Sequence, residues 1–84
     1  MRILIIEDEL PAQKRLKKII LELIPQAELL DAISSVESAI RWFRLNPMPD
    51  LIFMDIQLED GNSFEIFREV KITAPIIFIT AFDQ

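Results

Sequence analysis

The residues of this sequence that could do chemistry are mostly acidic, and they follow runs of apolar residues. Glu7 and Asp8 come directly after one such run. Asp55 follows another run, and Thr80 follows a third. Carboxylate and hydroxyl oxygens suit a hard divalent cation, and an aspartate can be the nucleophile in phosphoryl transfer. The pattern therefore indicates metal-assisted phosphoryl chemistry, provided that the fold brings these residues together.

Three carboxylates that lie close together need a compensating charge. Each adjacent pair costs on the order of 1–4 kcal/mol at 4 Å, depending on the effective dielectric. Either the acids protonate, with raised pKa values, or a cation keeps them ionised. An all-oxygen set of ligands favours Mg²⁺ or Mn²⁺, and Mg²⁺ commonly shares its open positions with a phosphate.

Each candidate residue has a predicted role on these grounds. Asp55 is the predicted nucleophile, because it follows the most apolar strand segment. Glu7 and Asp8 are the predicted metal holders, and the carbonyl of Gln57 is a further predicted ligand. The hydroxyl of Thr80 is predicted to hydrogen-bond a phosphoryl oxygen. Taken one at a time, the acids could equally be a solvated loop or a helix cap, and the threonine an ordinary strand-end hydroxyl.

Four segments are predicted to be strands that carry these residues. Unbroken apolar runs rich in β-branched residues are typical of strands buried on both faces of a parallel sheet. The predicted strands are residues 2–6, 28–33, 51–54 and 75–79. The second of them is less apolar, which makes it a candidate edge strand.

Amphipathic segments between the strands predict three helices. The first begins at Pro11 and ends near Pro25, the second has Ser34 or Ser35 as its N-cap, and the third has Ser63. The predicted inner-face residues are Leu16, Ile19, Ile20, Leu23 and Ile24 in the first helix, Val36, Ala39, Ile40 and Phe43 in the second, and Phe64, Phe67 and Val70 in the third.

The alternation of strands and helices predicts an α/β fold with a parallel sheet and helices on both faces. In such sheets ligands bind outside the carboxyl ends of the strands, where the strand order reverses. If the strand order is 2-1-3-4, that point lies between the first and third strands. It would place Glu7 and Asp8 beside Asp55, with Thr80 one strand further on.

Composition limits the classes of function. The chain has 84 residues, which allows one small domain, and it has no His and no Cys, which excludes Ser-His triads, thiol nucleophiles and zinc-thiolate sites. Its net charge of −5 gives no basic surface for nucleic acid, and no apolar run reaches the ~20 residues of a membrane span. The acidic start is unlike a signal peptide, so we expect a cytoplasmic protein without a membrane partner.

The segments ILIIEDE, DLIFMDIQL and PIIFITA contain the acids and the threonine. With them the sequence resembles the receiver domain of two-component response regulators. The segments EDELPAQKRL, DIQLEDGNSFEIF and ITAFDQ are similar to receivers of LytTR-type transcription regulators. The resemblance covers the whole chain and implies a flavodoxin-like fold, with residues 1–84 as one receiver domain truncated after the fourth strand. A DNA-binding domain would belong to a longer parent protein, and the fragment itself would not bind nucleic acid.

The resemblance also implies roles and partners. A histidine kinase would donate the phosphoryl group to Asp55, and the domain would at most catalyse its own phosphorylation. Asp8 would bind Mg²⁺ directly and Glu7 through water. Asp55 and the carbonyl of Gln57 would complete the protein ligands. Thr80 would be the switch hydroxyl of this phosphorelay protein.

The sequence departs from the family pattern in two ways. Glu59 stands where a proline is common, in a cluster of turn residues at 59–62, and it adds negative charge near the site. The chain stops at Gln84, so the family's fourth helix, its fifth strand with a lysine, and its fifth helix have no counterpart here. We expect truncation to leave residues 75–80 as an apolar edge strand. Self-association would follow, through that strand or through the uncovered face of the sheet.

Two functions remain open from the sequence. One is a phosphoacceptor signalling module, which the acids favour. The other is a degenerate interaction module that keeps the fold but does not switch, which the missing lysine favours. A flavodoxin-like cofactor binder is disfavoured, because a single glycine leaves no glycine-rich phosphate loop.

Overall fold

The computed structural model describes residues 1–79, in which the four predicted strands form one parallel sheet. The strands of this sheet are β1 (Arg2–Ile6), β2 (Glu28–Ile33), β3 (Leu51–Asp55) and β6 (Ile76–Ile79). Their order is β2-β1-β3-β6, with every pairing parallel. The predicted α/β class, the order 2-1-3-4 and the edge position of the second strand are confirmed. Between β3 and β6 the chain forms two further short strands, β4 (Gln57–Leu58) and β5 (Gly61–Asn62).

Helices cover both faces of the sheet, as predicted. Helix α1 (Leu10–Leu23) lies on one face, and helices α2 (Val36–Leu45) and α3 (Ile66–Glu69) lie on the other. Successive residues of a strand point to opposite faces, so Ile3 and Ile5 pack with Ile20 of α1. Leu4 and Ile6 pack with α2 and α3. Burial on both faces of the sheet explains why the sequence of β1 is apolar without a break.

The inner face of α1 differs in part from the prediction. Ile20 is buried, and Leu16 and Ile24 are half-buried, but Ile19 and Leu23 are exposed. The buried line instead includes Gln13, which lies one helical turn before Leu16.

No helix in residues 1–79 is long and apolar enough to cross a membrane.

Helix α2 begins as predicted. Ser35, rather than Ser34, is the N-cap, and its hydroxyl oxygen accepts a hydrogen bond of 3.0 Å from the backbone N–H of Ser38. The buried side chains of the helix are Val36, Ala39 and Trp42, whereas Ile40 and Phe43 are half-buried. The two aromatic rings of α2 meet edge to face, 5.4 Å apart.

The segment after β3 contains a turn at residues 59–60, as predicted, and the turn lies within a hairpin that was not predicted. The turn cluster forms an antiparallel hairpin of β4 (Gln57–Leu58) and β5 (Gly61–Asn62). Gly61 has φ +150°, and a Cβ there would lie 2.8 Å from Oε2 of Glu65. The strain and this contact both favour glycine at the position.

The prediction that Ser63 caps the third helix is wrong. A one-turn 3₁₀-helix (Ser63–Glu65) precedes α3, and Asn62 caps it by accepting a 2.8 Å hydrogen bond from the N–H of Phe64. Ser63 therefore lies inside the helical segment and is fully buried.

The inner face of the third helix is also different. The tight first turn shifts the helical face, so that Ile66 is buried in the core. Phe64 and Phe67, which were expected inside, are 47% and 38% exposed. They stack on each other at 6.0 Å, and Phe64 meets Phe78 edge to face at 5.5 Å.

Burial on both faces of the central strands gives a matched test of the core. Ile52 of β3 is completely buried, whereas Ile77 of the neighbouring strand is 45% exposed. We expect Ile52→Val to lower the free energy of unfolding by about 1 kcal/mol, because it removes one methylene from a packed site. The same change at Ile77 should cost less than about 0.5 kcal/mol. Urea unfolding followed by circular dichroism checks both, and equal losses would contradict the packing described.

Candidate functional site

The parallel register places the acids side by side at the carboxyl edge of the sheet. Ile6, the last residue of β1, pairs with Met54. The next residues on the two strands, Glu7 and Asp55, are therefore neighbours across the edge. The N–H of Glu7 donates a 2.8 Å hydrogen bond to the carbonyl of Ile33, which continues the pairing with β2 beyond the end of β1.

Three carboxyl groups converge at this point. One oxygen each from Glu7, Asp8 and Asp55 lies within 4.8 Å of the others. Glu7 is buried, at 6% exposure, while Asp8 and Asp55 are half-buried. The cluster is therefore partly open to solvent.

The electrostatic cost of this convergence is visible at Glu7. Burial is the largest cause that raises the pKa of Glu7, and with a hydrogen bond to Asp8 and the charges of Asp55 and Asp8 it brings this pKa to about 7. A hydrogen bond of 2.9 Å from the N–H of Glu9 to Oε2 of Glu7 opposes the rise. Near neutral pH and without a cation, Glu7 is therefore partly protonated.

A buried glutamine fixes the backbone of the site. Nε2 of Gln13 donates a 2.6 Å hydrogen bond to the carbonyl oxygen of Glu7. This contact anchors the turn between β1 and α1, on which both Glu7 and Asp8 lie. The sequence analysis did not identify Gln13, although a polar residue on the apolar line of an amphipathic helix is a signal that could have found it.

The other two predicted site residues, Gln57 and Thr80, are not part of the carboxyl cluster. The N–H of Gln57 donates a 3.4 Å hydrogen bond to Oδ1 of Asp55, which places its backbone beside the cluster. Its carbonyl as a metal ligand stays a prediction. Thr80 lies outside the described residues, and Ile79 immediately before it pairs with Asp55.

Asp60, at the tip of the hairpin, makes a contact that was not predicted from the sequence. Its two carboxylate oxygens accept hydrogen bonds of 2.7 and 3.1 Å from the N–H groups of Val36 and Glu37. Although burial of the carboxylate raises its pKa, these bonds and one from its own N–H hold the pKa of Asp60 below its ordinary value. The loop after Asp55 is thus tied to the start of α2.

The donor set of the cluster fits a magnesium ion. All three groups are carboxylates, which are the ligand class that Mg²⁺ selects. Two oxygens bound to one ion at 2.0–2.1 Å lie at most about 4.2 Å apart. The 4.8 Å limit of the cluster is close to that value, so small rotations of the side chains would bring the oxygens to binding distance.

Comparisons of the sequence and of the structure with known proteins agree on one protein family. The sequence profile of the response regulator receiver domain matches residues 3–84. The chain is 37% identical to the sensory transduction protein LytT of Bacillus anthracis and 32% identical to that of Bacillus subtilis strain 168. Both alignments cover the whole chain, which spans 35% of the length of each LytT protein.

Solved structures have the same fold. The response regulator PhyR from Brucella abortus is 30% identical, with a TM-score of 0.80 over 96% of this chain and 33% of its own. The MaeR response regulator bound to beryllium trifluoride is 28% identical, with a TM-score of 0.74. That comparison covers all of this chain and 70% of MaeR.

The raised pKa of Glu7 has a measurable consequence for stability. Without divalent metal, the folded protein keeps a proton on Glu7 between pH 4.5 and about 7, whereas the unfolded chain has lost it. The contribution of Glu7 to the free energy of unfolding should therefore fall as the pH rises through this range, by up to about 3 kcal/mol.

Replacement of Glu7 isolates this contribution. In EDTA, Glu7→Gln should gain stability relative to the wild-type protein as the pH rises from 5 to 8. Glu22→Gln, at an exposed position of α1, is the control and should show no such gain. Urea unfolding at each pH measures the difference, and parallel pH profiles for Glu7→Gln and the wild type would disprove the assignment.

Proposed function

This chain belongs to the response regulator receiver domain family, and from that membership we propose that it accepts a phosphoryl group on Asp55 from a histidine kinase, with Mg²⁺ as cofactor. The observation that carries the proposal is the convergence of Glu7, Asp8 and Asp55 within 4.8 Å at the carboxyl edge of the sheet. An unscreened cluster of this kind costs folding free energy, whereas a cation site turns the same repulsion into affinity for the ion.

Asp55 is the proposed phosphoacceptor because its carboxylate is half-exposed at the end of a central strand. One of its oxygens would attack the phosphorus of a phosphohistidine. The new oxygen–phosphorus bond forms as the phosphorus–nitrogen bond breaks, and the released imidazole nitrogen takes a proton. Mg²⁺ would supply positive charge against the charge that develops on the transferred group.

The other residues would bind and orient. Asp8 is the proposed direct ligand of the ion, and Glu7 the ligand that acts through water. The carbonyl of Gln57 is proposed to complete the protein ligands. Thr80 is proposed to hydrogen-bond the phosphoryl group as the switch hydroxyl. The pairing of Ile79 with Asp55 supports this last role, because it brings the chain to the neighbouring strand end.

The proposal extends to the protein context. We propose that the chain is the input module of a longer cytoplasmic transcription regulator in a two-component system, with DNA contacted by a separate domain. The similarity to LytT proteins of which it spans 35% supports this arrangement. The net charge of −5 supports the absence of direct nucleic acid binding by this chain.

A second candidate function is self-association through the far edge of the sheet. Within residues 1–79, β6 pairs on one side only, with β3. Ile77 and Phe78 of this strand are 45% and 42% exposed, and Phe64 and Phe67 extend the apolar surface beside it. Unpaired apolar edge strands recruit further strands. We propose that a second copy of the chain covers this edge.

Phosphorylation is tested directly with a small donor. Incubated with Mg²⁺ and acetyl phosphate, the chain should gain the mass of one phosphoryl group, measured by intact-mass spectrometry. Asp55→Asn should gain none, because the amide is not a nucleophile of this kind. Asp31→Asn, at an exposed position of β2, is the matched control and should react as the wild type does. A gain of mass that persists in Asp55→Asn would exclude Asp55 as the acceptor.

The metal site has its own measurement. Asp8→Asn should weaken Mg²⁺ binding by at least tenfold in isothermal calorimetry, because it removes a charged ligand. Beryllium trifluoride, which is bound by the similar MaeR protein, is a suitable second probe of the occupied site. Unchanged Mg²⁺ affinity in Asp8→Asn would refute its role as a ligand.

Self-association is measured by sedimentation over a range of concentrations. The wild-type chain should become dimeric or larger as its concentration rises. Phe78→Lys should shift this transition to at least tenfold higher concentration, because a charge at the edge strand opposes pairing. Leu23→Lys, at an exposed position of α1, is the control and should leave the transition unchanged. A monomer at every concentration would rule out the second candidate.

A further inference from the structure

The carboxylate of Asp60 joins two parts of the chain that are distant in sequence. Asp60 lies between the two strands of the hairpin, while its partners Val36 and Glu37 are 24 and 23 residues away. The two bonds use the first N–H groups of α2, and Ser35 satisfies the N–H of Ser38. The start of α2 is thus held by two separate groups, one local and one from the hairpin.

The hairpin needs such an anchor. Its ladder consists of two residue pairs, Gln57 with Asn62 and Leu58 with Gly61, and short isolated hairpins are marginally stable. The base of the hairpin is fixed by the buried side chain of Leu58 and by a 2.8 Å hydrogen bond from Ser63 to the carbonyl of Ile56. The bonds of Asp60 fix the tip.

These contacts close a ring around the acidic site. Glu7 is bonded through its N–H to Ile33, and a short segment leads from Ile33 to the start of α2. Asp60 connects that start to the hairpin. The hairpin leads back to Gln57, whose N–H donates to the carboxylate of Asp55, opposite Glu7. The two strand ends of the site are therefore linked by a second path besides the sheet itself.

We propose that Asp60 is a positioning residue for the acidic site: by tying the hairpin tip to the start of α2, it fixes the backbone of Gln57 beside Asp55. The inference rests on the proposed function, because it concerns the binding of Mg²⁺ at that site. Groups that hold a metal ligand in place commonly change metal affinity 10- to 100-fold when removed.

A purely structural cap would behave differently. Ser35 stabilises the same end of α2 through the N–H of Ser38, and among residues 1–79 its side chain forms no hydrogen bond with the hairpin. Its loss should lower stability without changing Mg²⁺ affinity. Loss of Asp60 should lower both. Ser35→Ala is therefore the matched control for Asp60→Ala. Each variant removes a side-chain oxygen that accepts a hydrogen bond from a backbone N–H in the first turn of α2.

Mg²⁺ titration of the 84-residue chain by isothermal calorimetry, below the unfolding temperature of each variant, tests the inference. We expect Asp60→Ala to weaken binding by about tenfold or more and Ser35→Ala by less than twofold. Asp60→Asn keeps an acceptor for one N–H and should fall between the wild type and Asp60→Ala, and it serves as the test variant if Asp60→Ala does not fold.

Amide hydrogen exchange supplies a second readout that stability alone would not give. If Asp60 couples the site to α2, Mg²⁺ must slow the exchange of the Val36 and Glu37 amides in the wild type, because coupling is reciprocal. The effect should be lost in Asp60→Ala, reduced in Asp60→Asn and kept in Ser35→Ala.

The outcomes separate this inference from the proposed function. If the wild-type chain binds no Mg²⁺, the proposed function itself fails. If the wild type binds Mg²⁺ and the Asp60 variants bind it equally well, the proposed function stands and the positioning role is overturned. Equal weakening in Asp60→Ala and Ser35→Ala would also overturn it, because helix stability would then account for both.

Discussion

Mutual repulsion among three carboxyl groups is the constraint around which this domain is organised. Glu7, Asp8 and Asp55 lie within 4.8 Å of one another, and Glu7 is almost fully removed from water. Nothing in the acids themselves favours this arrangement without a cation. It is imposed by the pairing of β1 with β3, whose apolar residues are buried on both faces of the sheet. The stability of the core therefore holds the site in a geometry that the acids alone would avoid.

Polar contacts at the edge of the sheet make that geometry specific. Gln13 holds the carbonyl of Glu7 from the helix that follows β1, and the N–H of Gln57 reaches back to Asp55 from the hairpin that follows β3. Asp60 then connects the hairpin to α2. Each of these bonds joins a loop of the site to an element packed in the core. Loops anchored in this way can present ligands with the precision that a small cation requires.

The edge of the sheet formed by β6 is apolar, in contrast to the polar contacts around the acidic site. Around β6 the described residues expose four large apolar side chains, and three of them are phenylalanines whose rings are in contact. The same chain thus combines a closely organised acidic edge with an apolar edge suited to a protein contact. The first is the site of the proposed phosphoryl chemistry and the second that of the proposed association, and the two surfaces belong to neighbouring strands.

The sequence by itself determined the four strands and the identity of the acids at their ends, because unbroken apolar runs are typical of strands buried on both faces of a parallel sheet. The order of the strands was expected only from the family resemblance, and the tertiary structure shows it directly. It did not determine the third helix, where a capping box at Asn62 and a 3₁₀ turn shift the buried face from Phe64 and Phe67 to Ile66. It also did not reveal that Asp60 bonds the start of α2, 24 residues away. Periodicity reports which side of an element is apolar, but a hydrogen bond across 24 residues leaves no such pattern. Only the packed tertiary structure decides which backbone groups such a side chain meets.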